Sequence, residues 1–372
     1  MSQDSSQNSN IQRMKIEGFK SIKSLDIELK PLNILIGANG SGKSNFISAF
    51  KFLNELASKK LQRYIAQSGG AERFLHFGSK NTEYIEFYLD FGANQYSVNL
   101  IPAEPDTLLI GTETPSFKGH GHHSPYTQTL NYQPEKESLL ASSRKSIATH
   151  VLNRLQTYKI YHFHDTSSSA LVKKTNDASD CLSLQSDASN LASMLYAFKT
   201  SVFHSHHYQK IVDTVQLVAP FFQDFILEPD ENGNILPRWK HRNSEKSWTF
   251  NDLSDGTLRF ICLTTLLQQP LSSMPETVLI DEPELGLHPH ALNILASMLK
   301  SVAAQGKQVI VSSQSVTLIN HFSAEDLLVA DQVNNETVIR RLEEGEVTAW
   351  LEEYTLGSIW EKNIIGGSPD DF

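Results

Sequence analysis

Cysteine is nearly absent. Cys181 and Cys262 are the only two in 372 residues. Two thiols far apart in the chain do not make a disulfide framework, so both are expected to be reduced. Long apolar runs are missing too. No stretch reaches the roughly 18 residues needed to span a bilayer, so no membrane partner is expected. An excess of basic charge is also lacking. The 32 Lys and Arg against 42 Asp and Glu leave a formal net charge of −10, which argues against a broadly basic DNA-binding surface. There are no sustained heptads, hence no long coiled-coil arms, and no internal repeat. Residues 1–10 are rich in Ser, Gln and Asn with no apolar core. They read as a disordered arm and not as a signal peptide. A cytoplasmic protein is the expectation. Its length suggests about two domains of roughly 150 residues, and 40% hydrophobic content is enough for a sizeable core.

Against these absences stands one dense local signal. Gly37-Ala38-Asn39-Gly40-Ser41-Gly42-Lys43-Ser44 fits G-x-x-x-x-G-K-[ST], with Asn45 directly behind it. Ile34-Leu35-Ile36 before it reads as a buried strand. Phe46, Phe50, Leu53 and Ala57 after it recur at helical spacing. Strand, glycine turn and helix start are what phosphate binding requires. Glycines let the backbone wrap around phosphate oxygens, and unpaired N–H groups at the helix start point at the anion. Lys43 is expected to reach the β- and γ-phosphates of ATP, and the Ser44 hydroxyl to ligate Mg²⁺.

Far downstream, Val278-Leu279-Ile280-Asp281-Glu282 is an apolar strand ending in two carboxylates. Asp281 is expected to hold Mg²⁺, and Glu282 to orient and deprotonate the attacking water. Between the two motifs lies Leu253-Ser254-Asp255-Gly256-Thr257, followed by the helix-like run Leu258 to Leu267. Ser254, the Gly256 backbone and the helix start form a candidate second anion site. Val309 to Ser315 is another short buried strand. It ends at Gln314, which can hydrogen-bond phosphate or water but cannot carry a proton at neutral pH.

Taken in order, these segments resemble the RecF/SMC-like branch of ABC-type ATPases. The opening Ile16-Glu17-Gly18-Phe19-Lys20-Ser21-Ile22 is similar to that branch. More closely, the chain resembles a group of bacterial stand-alone AAA-type ATPases. Tyr161 to Thr166, Leu253 to Phe260, Asp281 to Pro289 and Leu356 to Gly367 carry that likeness. The resemblance implies an α/β P-loop NTPase: an ABC/SMC-type head with a mixed sheet and a short helical lid insertion. It implies that Pro283 to Pro289 is the D-loop. It also implies that Leu253, Ser254, Asp255 and Gly256 act in trans on ATP held by a second subunit, hence a homodimer or higher oligomer. Where most ABC ATPases have a histidine, this chain has Gln314, which puts the hydrolysis rate in question.

The expected organisation is an arm (1–10), an N-terminal part of the head (11–102), an excursion and helical insertion (103–245), and a C-terminal part of the head (246–372). Tyr84 to Phe91 and Gln95 to Ile101 alternate as antiparallel strands. Residues 103–135 read as a mobile excursion and 136–245 as largely helical. His120, His122 and His123 form one histidine cluster, and His204, His206 and His207 another. Both read as solvated histidines more readily than as metal sites. His162 and His164 read as satisfied core groups, with nucleotide sensing as the alternative. Two basic stretches, Lys199 to Lys210 and Arg238 to Lys246, read as solvated faces or as the lining of a groove for DNA or RNA. The roughly 55 residues after the Gln314 strand are short for a nuclease module. No nuclease activity is expected in this chain; if the biological unit has one, another polypeptide is expected to carry it. The expected function is ATP hydrolysis coupled to dimer closure, gating a separately encoded effector in the manner of phage defence. The alternatives are a DNA-maintenance clamp and a low-turnover nucleotide-dependent scaffold.

Overall fold

The computed structural model describes residues 10–119, 125–143 and 146–368. The arm other than Asn10, and the cluster His120, His122 and His123, lie outside the described residues. The chain opens with an antiparallel hairpin of β1 (Arg13–Phe19) and β2 (Ile22–Glu28). Strand β3 (Leu32–Ile36) follows. All five of its residues are buried, and it runs through the glycine turn into α1 (Lys43–Ala57) and then α2 (Leu61–Gln67). β4 (Ile85–Asp90), β5 (Asn94–Ala103), β6 (Thr107–Phe117) and β7 (Tyr126–Thr127) return to the hairpin. They complete a six-stranded sheet in the order β2-β1-β4-β5-β6-β7.

This corrects one expectation. Residues 103–135 are not a mobile excursion over their first half. β6 pairs with β5 along its whole length, from Ala103↔Thr107 to Asn94↔Phe117. Leu108 and Ile110 are fully buried. The Pro, Gly and Thr content suggested a loop, but cross-strand pairing and burial of alternate side chains decide strand identity more strongly than propensity does.

The next stretch corrects a second. Residues 136–245 do hold α3 (Ser146–Gln156), α4 (Leu191–Thr200) and α5 (Ser205–Val218). They also hold β8 (Lys159–Tyr161), the two-residue pair β9 (Asn176–Asp177) and β11 (Asn234–Ile235), and the strands β10 (Phe222–Ile226) and β12 (Arg238–His241). β10 and β12 join β13 (Ser247–Thr249) in a three-stranded sheet. β8 belongs to the nucleotide core, because it lies parallel to the strand before Asp281. Its three residues are too few to show a period in the sequence.

After β13 come α6 (Asp255–Gln268), β14 (Thr277–Asp281), α7 (Pro289–Ala304), β15 (Gln308–Ser313), α8 (Val316–Ile319), β16 (Leu327–Val333), β17 (Glu336–Arg341), α9 (Glu344–Val347) and α10 (Leu356–Glu361). The core sheet has the order β17-β16-β3-β15-β14-β8, parallel except for the edge strand β17.

Its strands are apolar on both faces because both faces are covered. Leu35, Leu279, Ile310 and Leu328 pack towards α1 and the antiparallel sheet. Ile34, Ile36, Val278, Ile280, Val309 and Val311 pack towards the side that holds α4, α5, α6 and α7. The alternation follows the two-residue period of a strand. On the first side an aromatic cluster fixes α1 to the antiparallel sheet. Phe52 lies 5.5 Å from Phe19 and 5.2 Å from Phe74, centroid to centroid. Each such side chain stabilises the fold by about 1.5–3 kcal/mol through burial. The outcome is that the ends of β3, β14 and β15 open on one edge.

Candidate functional site

The phosphate loop sits where β3 ends. Gly40 and Gly42 hold φ of 84° and 99°, left-handed values that glycine adopts without steric cost. A Cβ on Gly42 would collide with Thr337 Oγ1, so no other residue fits there. α1 begins at Lys43 with no capping side chain and no acidic residue in its first turn. Its leading N–H groups therefore keep their capacity for an anion. The Ser41 hydroxyl is buried without a hydrogen-bond partner, the kind of polar atom a phosphate oxygen would satisfy. Lys43 is also buried, and its Nζ donates to the carbonyls of Gly37 (2.6 Å) and Ala38 (2.8 Å). Burial lowers its pKa, against the upward pull of Glu282, Asp281 and Glu284. Asn45 is committed elsewhere. Its amide donates to Ser21 Oγ at 2.6 Å, and Ser21 in turn bonds Thr337 Oγ1 at 2.7 Å.

Two strands away, three carboxylates line up against three consecutive residues of the β15 end. The register pairs Asp281 with Ser312. The Ser312 hydroxyl donates to Asp281, and the Gln314 amide donates to Glu282 Oε1. Glu284 Oε1 accepts from Ser313 Oγ (2.8 Å) and from the Gln314 backbone N–H (2.7 Å). Glu284 Oε2 is buried and has no partner. Burial raises the Glu284 pKa, and the Glu282 charge adds to the rise against its own hydrogen bonds. Asp281 goes the other way. Burial opposes its ionisation, but hydrogen bonds from His162 and Ser312 and the nearby histidines hold its carboxyl below the usual range. Glu282 holds φ of 42°, a left-handed conformation that costs a non-glycine residue about 1–2 kcal/mol. Its N–H donates to the Ser312 carbonyl at 3.0 Å, which holds that turn.

His162 and His164 correct an expectation. They are not core groups. His162 is half exposed and places Nδ1 3.4 Å from Asp281 Oδ2. His164 Nε2 lies 3.0 Å from the Asp281 carbonyl. β8 runs beside β14, and that pairing carries both rings to the acidic end.

At the signature, Ser254 caps α6 by accepting from the Thr257 N–H at 3.2 Å. Ser254 and Asp255 are exposed, whereas Leu253 is buried. A Cβ on Gly256 would strike the Gly286 carbonyl, so the D-loop packs directly on this helix start. Arg259 adds a clamp. Its guanidinium donates to the carbonyls of Phe163 (3.1 Å), His164 (2.9 Å) and Leu285 (3.1 Å). Sequence reasoning did not single out Arg259, Ser312 or Thr337, and it covered Glu284 only within the segment Pro283 to Pro289. The Asp-Glu-Pro-Glu spacing was the available signal for Glu284. None pointed to the others, whose roles come from contacts across the fold.

The second histidine cluster lies at the start of α5, where His207 Nδ1 bonds the Gln268 carbonyl at 2.8 Å. Among the described residues, no group of three or more His, Cys, Asp or Glu could hold a metal. The basic stretches are partly engaged. Lys199 meets Asp224 at 3.1 Å, and Arg242 reaches Gln216 at 2.7 Å.

The fold is that of an ABC/SMC-type head, with a phosphate-loop motif at the end of β3. A family model described as "AAA domain, putative AbiEii toxin, Type IV TA system" matches residues 32–320, and the chain belongs to that family. It is similar to the Nod factor export ATP-binding protein I of Mesorhizobium japonicum, with 30% identity over 121 residues. That match spans 32% of this chain and 32% of that protein. It is also similar to the Old nuclease of Escherichia phage P2, with 34% identity over 64 residues, 17% of this chain and 11% of that one. The chain thus spans a third or less of the length of these curated relatives. Among solved structures it is similar to an Smc head bound to the C-winged helix domain of ScpA. There the TM-score is 0.61 at 16% identity, covering 90% of this chain and 99% of that one. A Pyrococcus furiosus Smc head with an extended coiled coil gives 0.55 at 15% identity, covering 92% and 99%. Among the described residues no helix is long and apolar enough to cross a membrane.

Proposed function

We propose that this protein hydrolyses ATP between two copies of itself and uses the resulting closure to control a separately encoded effector in the cytoplasm. The observation that carries this reading is the acidic end of β14. Each of its three carboxylates is held by one of Ser312, Ser313 and Gln314, two strands from a bare helix start that carries Lys43. Ser44 and Asp281 supply oxygen ligands suited to Mg²⁺, which would neutralise phosphate charge when bound. Glu282 is positioned by Gln314 and takes the proton of the attacking water. Gln314 therefore orients the base and does not act as one, and the absence of a histidine there does not remove turnover.

The exposed Ser254 and the start of α6 supply an anion site for a phosphate presented by a second subunit. ATP binding favours the closed dimer, and hydrolysis with product release reopens it. Membership of a family described by a putative AbiEii toxin and a type IV toxin–antitoxin system supports an output of the toxin-system kind. The acidic balance and the lack of coiled-coil arms favour effector control over a DNA clamp, whose salt-dependent DNA or RNA binding would reveal it.

The test mixes two inactive variants. Ser254→Arg blocks the incoming phosphate, and Lys43→Ala removes the loop's cation. Their heterodimer holds one composite site with both lesions and one with neither. Partial return of steady-state ATPase activity on mixing is the expected result. Full activity of Ser254→Arg as a monomer would rule out shared sites.

A further inference from the structure

The turn between α4 and α5 shows apolar side chains where turns ordinarily show polar ones. The Ser201 carbonyl accepts from the His204 N–H (3.3 Å) and the Ser205 N–H (3.0 Å). That tightens the chain and turns Val202 and Phe203 outward, where they are 88% and 82% exposed. From Lys199 to Lys210 the sequence holds two Lys and three His and no Asp or Glu. Lys199 is engaged with Asp224, whereas His206 and Lys210 are exposed. The tip is an apolar knob in a basic surround.

A hollow of about 420 Å³ lies elsewhere, between the end of α8 and the start of α10. Phe322, Ala324 and Leu356 form its buried floor, and Leu351 and Tyr354 also line it. Leu351 is exposed. So is its neighbour Trp350, whose ring lies 6.2 Å from that of Tyr354. Residues 343–353 carry five Glu and no Lys or Arg. Glu346 is held by Arg340 at 2.8 Å, whereas Glu344, Glu352 and Glu353 are exposed. Lys300 and Lys362 stand over the rings of Phe322 and Tyr354 and offset part of this charge. The hollow thus has an apolar floor and an acidic rim, the complement of the knob.

The two features cannot meet within one chain. α5 packs on α6, α6 on α7 and α7 on α8. At about 8–10 Å for each packed pair, knob and hollow are roughly 25 Å or more apart. Both rest on the same buried core, so neither can swing across to the other.

We propose that the hollow takes the Val202 and Phe203 tip of a second copy of this chain. The phenyl ring enters the apolar floor, and Lys210 and His206 face the exposed glutamates of the rim. Such a contact joins two different surfaces of identical chains. Each added copy leaves one knob and one hollow free, so the contact repeats into open rows or closes into a ring. It is separate from the ATP-driven closure proposed above and needs no nucleotide. The contact is small, and small interfaces are weak, so it forms at high protein concentration.

The experiment is analytical ultracentrifugation of the full chain without nucleotide or divalent cation, from one micromolar to several hundred. Wild type is expected to be monomeric at the low end and to pass twice the monomer mass at the high end. Val202→Ser with Phe203→Ser removes the knob. Trp350→Ser with Leu351→Ser removes the apolar rim of the hollow. Each double variant alone is expected to stay monomeric. Mixed in equal amounts, they are expected to stop at twice the monomer mass, because one intact knob and one intact hollow remain between them. Glu344→Lys with Glu353→Lys leaves the apolar residues in place and is expected to weaken association about tenfold or more. Wild type that stays monomeric throughout overturns the proposal and assigns the hollow to a basic segment of a different protein. Serine or lysine variants that associate as wild type does, or a mixture that stays monomeric or grows past the dimer, overturn it as well. Failure of the ATP reading shows differently: Ser254→Arg is expected to associate here as wild type does, whereas closure around ATP is read at the low end, where this contact is open.

Discussion

Glu284 is the residue whose environment is most at odds with its charge. It is half-buried, its Oε2 is buried without a partner, and it stands beside Glu282. A carboxyl with a raised folded pKa contributes stability below its unfolded value, and that contribution is lost as pH rises through the folded value. At neutral pH Glu284 is therefore a stability cost. Glu284→Gln keeps an acceptor for Ser313 and Gln314 while removing the charge. Its melting temperature without nucleotide should equal or exceed that of wild type at pH 8. The difference should shrink as pH falls towards about 4, the ordinary Glu value. A clearly lower melting temperature at pH 8 would refute this. Glu282 differs, because its carboxylate is paired with an amide and available to water. Glu282→Gln is expected to retain ATP binding and lose about 10²–10⁴-fold in turnover, measured by steady-state hydrolysis beside a binding titration. If turnover is unchanged, Glu284 is the next candidate base. Lys43→Ala should abolish productive ATP binding, since Lys43 is the only side-chain cation from Gly37 to Ser44.

At the scale of elements, α6 is the link between the two proposed anion sites. Ser254 caps its N-terminus. One turn on, Arg259 ties it to the segment after β8 and to the D-loop. That same segment reaches Asp281 through His164. Arg259→Ala should therefore keep ATP affinity within a few-fold while lowering turnover by roughly tenfold or more. It should also cost about 1 kcal/mol per lost hydrogen bond in stability. Arg259→Lys should not restore turnover, because a point ammonium cannot span three carbonyls held by a planar fork. Turnover restored by lysine would show that charge alone suffices. The contact of Gly256 with Gly286 is equally specific, and Gly256→Ala should displace the D-loop with a similar loss of turnover.

At the scale of the molecule, the central question is association. Ser254 and Asp255 are exposed, which leaves the proposed second anion site accessible to a partner copy. Glu282→Gln with ATP and Mg²⁺ should sediment at twice the monomer mass, and Glu282→Gln with Ser254→Arg at the monomer mass, in analytical ultracentrifugation. A monomer in the first case would count against closure around ATP. Lys199 and Arg242 of the basic stretches are engaged with Asp224 and Gln216, and the net charge of −10 agrees with a partner that is not bound chiefly through phosphates.

The sequence by itself determined the local chemistry. Gly37 to Ser44, Asp281-Glu282, Leu253 to Gly256 and Gln314 each depend on a few neighbouring residues and on the strand or helix that flanks them. Their order along the chain was enough to point to the family. The buried helix face of Phe46, Phe50, Leu53 and Ala57, and the alternating strands at 85–90 and 94–103, were legible for the same reason: period and burial are local patterns. Only the tertiary structure decided what meets what. β8 is three residues long, and its place beside β14 comes from a parallel pairing across more than a hundred residues. That pairing moved His162 and His164 from supposed core groups to the site. The β14–β15 register set which of residues 312–314 holds which carboxylate. β6 became a strand because β5 offered it a partner and a buried face. Pairing register and long-range closure leave no periodic trace in a single chain, and so these features emerged only with the fold.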